Sequence, residues 1–313
     1  MNIIKYRYIY FGISLLVIIP GIIALILWGL PLGIDFTGGS LLEVQFASGQ
    51  PPVIADVAAL YNELSSAQTE ISNPVVQPVG TDSISIRSKE MNDALKSQIV
   101  SALKERFGGG QDVVIMNFTQ VSAVIGQEIA VRAAGAVALA ALAILLYITY
   151  AFRGVQHAFR YGTAAIIAML HDVLVVVGVE AIIGHFMGWQ ADSLFLTALL
   201  TVIGFSVHDT IVVFDRIREN SNLYRRVGYE TIVNHSIVQT LDRSINTQLT
   251  VMFTLLALAL FGGGSIRHFV VILLVGVFSG TYSSIFNASP ILVVWENKEW
   301  RNWFRRKPDT ETI

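Results

Sequence analysis

The hydrophobic positions of this chain fall into six long runs separated by polar segments, near residues 9–30, 131–151, 162–184, 193–214, 242–261 and 267–294. Each run is about as long as the roughly 17–25 apolar residues that cross a bilayer core as a helix. Between the first two runs, residues 31–126 follow a different pattern. Leu42, Val44 and Phe46 alternate with more polar neighbours, which predicts a strand over 41–46. Residues 53–66 carry a helical period, 75–79 read as a short strand, and 83–88 alternate again. An amphipathic helix is predicted over 91–107, closed by Gly108, Gly109 and Gly110, and a last strand over 112–121. The order β-α-β-β-α-β predicts a ferredoxin-like domain. The expected fold class is an α-helical polytopic membrane protein with six transmembrane helices and one external α+β domain between helices 1 and 2.

Composition agrees with this pattern. The 313 residues are 53% hydrophobic and only 14% charged, the balance of an integral membrane protein. There is no cysteine, which excludes disulfides, thiolate metal ligands and thiol catalysis. The first run follows Lys5 and Arg7, is longer than a signal-peptide core and has no small-residue cleavage site after it, so a retained signal anchor is expected. Basic residues gather on one side: Lys5 and Arg7, Arg153 and Arg160, Arg216, Arg218, Arg225 and Arg226, and Lys298 to Lys307 in the tail. The opposite short loops hold only Arg267. The positive-inside rule assigns the basic side to the cytoplasm. Residues 1–8, a loop over 215–241 and the tail 295–313 are then cytoplasmic, and residues 31–126 lie outside.

Against this background, the charges inside the apolar runs carry the chemistry. Charged groups within membrane helices are costly, so they face a protein interior or a wet cavity and mark pathways or relays. Asp172 lies about ten residues into the third run, roughly 15 Å deep at 1.5 Å per residue. Asp209 lies one and a half turns from the end of the fourth run, and Arg243 in the first turn of the fifth, so the two share a depth and are expected to pair. The plainer alternatives are a snorkelling arginine and an aspartate that bonds helices together. Arg243, Thr247, Thr250 and Thr254 recur at helical spacing, as do Gly276, Gly280, Ser283 and Asn287. Two such stripes facing inward would line a hydrated track; small-residue packing is the competing reading.

His171 and His208 each precede one of the aspartates. Successive helical residues point about 100° apart, so one member of each pair faces a shared axis. Both histidines are candidates for proton relay, and Glu180, nearer the other end of the third run, offers a continuation. No compact ligand set for a metal is visible. FGGGQD and FGGGSI lack the Lys-Ser/Thr of a phosphate loop, so ATP hydrolysis by this chain is not expected.

At GIDFTGG (33–39), MLHDVL (169–174), GFSVHDTIVVFDRIREN (204–220) and LDRSINTQLT (241–250), the chain resembles the SecF family, the smaller partners of SecD in bacterial protein export. The resemblance runs over the whole length. It implies half of an RND-type transporter in the bacterial inner membrane, paired with SecD. It also implies a non-enzymatic, proton-driven aid to late translocation of preprotein through SecYEG, after pushing by SecA. No cofactor or nucleic acid is implied beyond the coupling ion, H+ or alternatively Na+, and the lipid bilayer. The family's essential aspartate falls on Asp209, its arginine on Arg243 and its span-three pair on His171 and Asp172. Asp35, Gly38 and Gly39 fall on the motif where span one meets the external domain; the residues themselves read as a hinge or turn. His208 departs from the Asn expected of relatives, which bears on the choice of ion. Two rival functions stand beside this one: export of a small lipophilic solute, and a passive scaffold for SecD.

Overall fold

The computed structural model describes residues 2–47, 51–64, 74–79, 82–91, 93–108, 113–154 and 157–299. The chain divides into two compact units. One comprises Met1–Gly29, Ala136–Ile183 and Phe195–Ile313, and the other Leu30–Gly135 and Gly184–Leu194.

Among the described residues, six helical stretches are long and apolar enough to cross a membrane, the number expected. They are α1 (Arg7–Trp28), α5 (Ala123–Ala151), α6 (Ala158–Met187), α7 (Ser193–Leu223), α8 (Tyr229–Phe261) and the pair α9 (Gly264–Ser283) and α10 (Ser289–Glu296). The last two are joined by a π turn, Ser284–Ala288. Pro290 explains that turn: it has no N–H for the carbonyl of Phe286, and its ring would crowd that carbonyl in a regular α-helix.

One sequence expectation is corrected here. The stretch 215–241 is not a loop, because α7 continues to Leu223 and α8 starts at Tyr229. The extensions hold together through buried Ile217, Ile232, Val233 and Ile237. Asn220 Nδ2 donates to Ser236 Oγ and Gln239 Oε1, both at 2.8 Å. Apolar periodicity locates the membrane-crossing part of a helix, whereas backbone hydrogen bonding carries the helix onward wherever a packed face continues.

Small residues set how closely these helices approach. A Cβ on Gly276 would lie 2.0 Å from Val202 Cγ2, and one on Gly280 would lie 3.2 Å from Ser206 Cα, so α9 rests directly on α7. Gly21 and Gly178 bring α1 against α6 in the same way. At one end, Arg7 Nη2 pairs with Glu299 Oε1 at 2.7 Å, and Tyr8 Oη donates to Glu299 Oε2 at 2.6 Å. Asn234 Oδ1 accepts the N–H groups of Ile3 and Ile4 at 2.7 and 3.3 Å. The chain before α1 and after α10 therefore meets at the same end of the helical unit, as an even number of spans requires.

The second unit contains α2 (Ile34–Thr37), β1 (Gly39–Phe46), α3 (Ile54–Leu64), β2 (Val75–Val79), β3 (Ser83–Ser88), α4 (Asp93–Phe107) and β4 (Val113–Val121). The sheet order is β2-β3-β1-β4 with every neighbour antiparallel, which is the expected ferredoxin-like arrangement. Leu42 pairs with Ile86 and Val44 with Ile84, and all four are fully buried. Val57, Leu60 and Tyr61 of α3, with Leu95, Ile99 and Leu103 of α4, cover that face. Burial pushes the Tyr61 phenol up from its usual range. Gly109, Gly110, residues 65–66 and the basic tail beyond Glu299 lie outside the described residues.

Candidate ion-coupling site

Asp172 sits at the centre of the helical unit, 1% exposed. Three hydroxyls donate to its carboxylate: Ser206 of α7 and Ser283 of α9 to Oδ2 at 2.5 and 2.7 Å, and Ser279 of α9 to Oδ1 at 2.6 Å. His171 Nδ1 lies 3.0 Å from Oδ1. A carboxylate in the middle of a bundle is tolerable only when its lone pairs are satisfied, and here three hydroxyls from two neighbouring helices donate to it. The polar thread continues along α7. Thr210 Oγ1 lies 2.9 Å from Ser284 Oγ, and both hydroxyls donate to the backbone carbonyl of Ser206.

Asp209 is also buried, 3% exposed, one residue before Thr210. Its Oδ2 accepts from Gln248 Nε2 of α8. His208 is exposed, consistent with neighbours on a helix facing different ways. The expected Asp209–Arg243 pair is not formed in this structure. Arg243 is exposed, and the reason is rotational: it lies five residues from Gln248, about 140° round the helix. When Gln248 faces Asp209, Arg243 faces away.

The same rotation decides the stripe on α8. Thr247, Thr250 and Thr254 are exposed together with Arg243, so this stripe does not face inward within the chain. Thr250 and Thr254 each bond a backbone carbonyl of their own helix. The stripe on α9 does face inward. Gly276 and Gly280 meet α7, Ser283 reaches Asp172, and Asn287 exchanges hydrogen bonds with Ser14 of α1 at 2.8 and 3.0 Å. Close packing and polar contact coexist on that face.

In the second unit, the glycine motif forms a short helical turn with a specific steric basis. Gly38 and Gly39 have φ of 75° and 125°, backbone that side-chain-bearing residues rarely adopt. A Cβ on Gly38 would lie 2.5 Å from Ala123 Cα, and one on Gly39 would lie 2.6 Å from the Ser88 carbonyl oxygen. Asp35 does more than turn the chain: its Oδ2 accepts the N–H of Ser193 at 2.9 Å, capping the first turn of α7. Gly33 N–H donates to the Ala191 carbonyl, and Ala191 N–H to the Pro31 carbonyl. The loop between α6 and α7 is also held by Gln77 of β2, whose Nε2 donates to the Gly188 carbonyl at 2.6 Å. Arg87 of β3 braces Gln77, and burial lowers its guanidinium to about 10.

Four polar contributors escape a reading of charges alone: Ser206, Ser279, Gln248 and Ser14. Their signal was present as hydroxyl and amide residues inside apolar runs. Gln248 and Ser244, four residues apart and both buried, form the face of α8 turned to Asp209. Arg243, Thr247, Thr250 and Thr254 share the exposed side of that helix.

Comparison with known proteins follows the same residues. The family model "Protein export membrane protein SecD/SecF, C-terminal" matches residues 101–298, and "SecD/SecF GG Motif" matches residues 29–49. The chain is 56% identical over 307 residues to the protein translocase subunit SecF of Anaerolinea thermophila, covering 98% of this chain and 97% of that one. It is 53% identical over 315 residues to the SecF subunit of Thermobaculum terrenum, with the same coverage. Among solved structures, SecDF from Thermus thermophilus, described as a translocon-associated membrane protein, superposes with a TM-score of 0.82 at 30% identity. That match covers 95% of this chain but only 39% of the SecDF chain.

Proposed function

This chain belongs to the SecD/SecF family of protein export membrane proteins, among the SecF translocase subunits, and on that premise we propose that it couples an ion gradient to protein export. The observation that carries the reading is the pair of buried membrane carboxylates on consecutive helices, Asp172 held by serine hydroxyls and Asp209 by Gln248. Charge at such depth is costly, and carriers of protons or ions are what it commonly serves. The coupled ion is H+, with Na+ as the alternative that the hydroxyl cage around Asp172 also accommodates chemically.

A SecD-type partner covers the exposed stripe of α8. Arg243, Thr247, Thr250 and Thr254 lie on a membrane-crossing helix and would be poorly placed against lipid. A second half presenting its own polar groups would enclose them and bring Arg243 into the same charge pathway as Asp209. Movement reaches the α+β domain, outside the cytoplasm, through the loop joining α6 to α7, which is bonded to Asp35 and Gln77. Preprotein emerging from SecYEG, after SecA has driven its entry, is the load. No chemical step on a substrate is involved.

Export of a lipophilic solute has one observation in its favour, an apolar cavity of about 570 Å3 among α1, α6, α8 and α9. Unchanged preprotein export in a deletion strain would decide for it. The direct test of export coupling is translocation into vesicles with and without an imposed proton gradient. Asp209→Asn and Arg243→Ala each lose the gradient's stimulation while staying in the complex; normal stimulation in both supports the scaffold reading instead.

A further inference from the structure

The seam between α6 and α9 has a second buried polar contact that the coupling scheme above does not use. Glu180 of α6 is 0% exposed, and its Oε2 lies 2.8 Å from Nε2 of His268 on α9. Its other oxygen, Oε1, is buried and has no hydrogen-bond partner among the described residues. Glu180 follows Asp172 by eight residues on α6, about 12 Å along the axis and 80° round it. The two acids thus lie toward one side of the helix, each engaged by α9: Asp172 by Ser279 and Ser283, Glu180 by His268. Val176 and Ile272, both fully buried, lie between these contacts in sequence and keep that stretch of the seam apolar.

The two contacts differ in one respect. Both oxygens of Asp172 accept from serine hydroxyls, whereas Oε1 of Glu180 has no partner among the described residues. An unmade hydrogen bond in the interior is expensive, so a buried, unpartnered carboxylate oxygen is an unusual feature of a helix seam. We propose that Glu180 and His268 form a proton-holding site in the membrane-spanning unit, with Oε1 of Glu180 as the atom that receives the proton. This rests on the ion-coupling reading given above and extends it along α6 to a second station.

The chemistry balances without any co-reactant. With one proton between them, the pair is neutral either as carboxylic acid and imidazole or as carboxylate and imidazolium, and the proton moves across the 2.8 Å contact. A second proton, supplied by the aqueous phase that the gradient acidifies, binds at Oε1 and leaves the pair with one positive charge. The other charged or titratable residues near this seam in sequence are Arg267, His185 and Asp192, the last preceding the first turn of α7. Arg267, beside His268, is exposed, and His185 lies about 140° from Glu180 round α6. The parts of α1 (Phe11 to Trp28), α7 (Ser193 to Val207) and α8 (Thr247 to Phe261) that could approach carry no titratable residue. Phe195 of α7 stacks on the His268 ring with centroids 6.5 Å apart, holding the imidazole in place.

The test uses the full chain with its partner subunit in lipid vesicles. Infrared difference spectra are recorded as pH is swept through the carboxylate and histidine ranges, for wild type, Glu180→Gln, His268→Gln and Asp209→Asn. The proposal expects a titrating carboxyl signal that Glu180→Gln removes and His268→Gln shifts, with gradient-driven export largely lost in Glu180→Gln. An unchanged signal in Glu180→Gln, or full gradient-driven export despite its loss, overturns it. If Glu180→Gln does not insert, Glu180→Asp, which keeps the carboxyl and lengthens the contact, must shift the signal. Asp209→Asn separates the two claims: retained coupling there ends the ion-coupling reading, while the Glu180 signal still reports whether the pair holds a proton.

Discussion

Gln248 donates its side-chain N–H to the buried carboxylate of Asp209, joining the middle of α8 to α7. The contact fixes the rotation of α8, so it also sets which residues that helix presents outward. Gln248→Leu leaves Asp209 buried without this donor. The expected cost is about 1–3 kcal/mol of stability, read from thermal unfolding in detergent. In a double-mutant cycle with Asp209→Asn, the two costs should be clearly non-additive, since both changes act on one bond. Additive costs would show that the bond does not couple the helices.

Asp172 depends on its hydroxyls in a graded way. Ser206→Ala, Ser279→Ala and Ser283→Ala each remove one donor from a carboxylate that is almost fully buried. Each should destabilise by about 1–3 kcal/mol, and the triple variant should fail to accumulate in the membrane. Expression and unfolding midpoint of the four variants measure this directly. A stable triple variant would mean that Asp172 is not held as a carboxylate.

The glycine motif makes a steric prediction. Gly38→Ala must place a Cβ 2.5 Å from the Ala123 backbone while keeping φ at 75°, a combination worth about 1–3 kcal/mol for the backbone alone. Gly12→Ala on α1, where nothing lies within 4 Å, serves as the neutral control. Proteolysis of the α+β domain should rise in the first variant and not in the second.

Acid should loosen the clamp at the chain ends. Burial pushes the Glu299 carboxyl up, but hydrogen bonds from Tyr8, Arg7 and Asn297, with the Arg7 charge, outweigh it and hold it below the usual range. A depressed carboxyl contributes stability above its unfolded value of 4.5, and that contribution fades as pH falls through the lower folded value. The melting temperature of wild type should therefore fall more steeply with acidification below this range than that of Glu299→Gln. Parallel curves would remove Glu299 from the account.

Much of this architecture is legible in the sequence, for reasons particular residues make plain. Leu42, Val44 and Phe46 alternate because one sheet face is buried, so strand β1 and its neighbours follow from period alone. The six spans follow from length and apolarity. Asp172 and Asp209 are conspicuous because charge is rare at that depth. Helix rotation is not visible in the same way. Arg243 and Gln248 differ by five residues, and nothing local says which faces α7; tertiary packing decides it. The serines around Asp172 come from two helices far apart in sequence, and hydroxyls in membrane helices are too common to stand out singly. The capping of α7 by Asp35 joins residues 158 positions apart, beyond the reach of any local pattern.

The central claim is that a buried carboxylate of this subunit couples a gradient to export. Its most direct test is preprotein translocation in vesicles with an imposed proton gradient, comparing wild type with Asp209→Asn. The substitution preserves shape, so folding and complex assembly should persist. The account predicts that the gradient accelerates export in wild type and has no effect in the variant. Equal acceleration in both would contradict it.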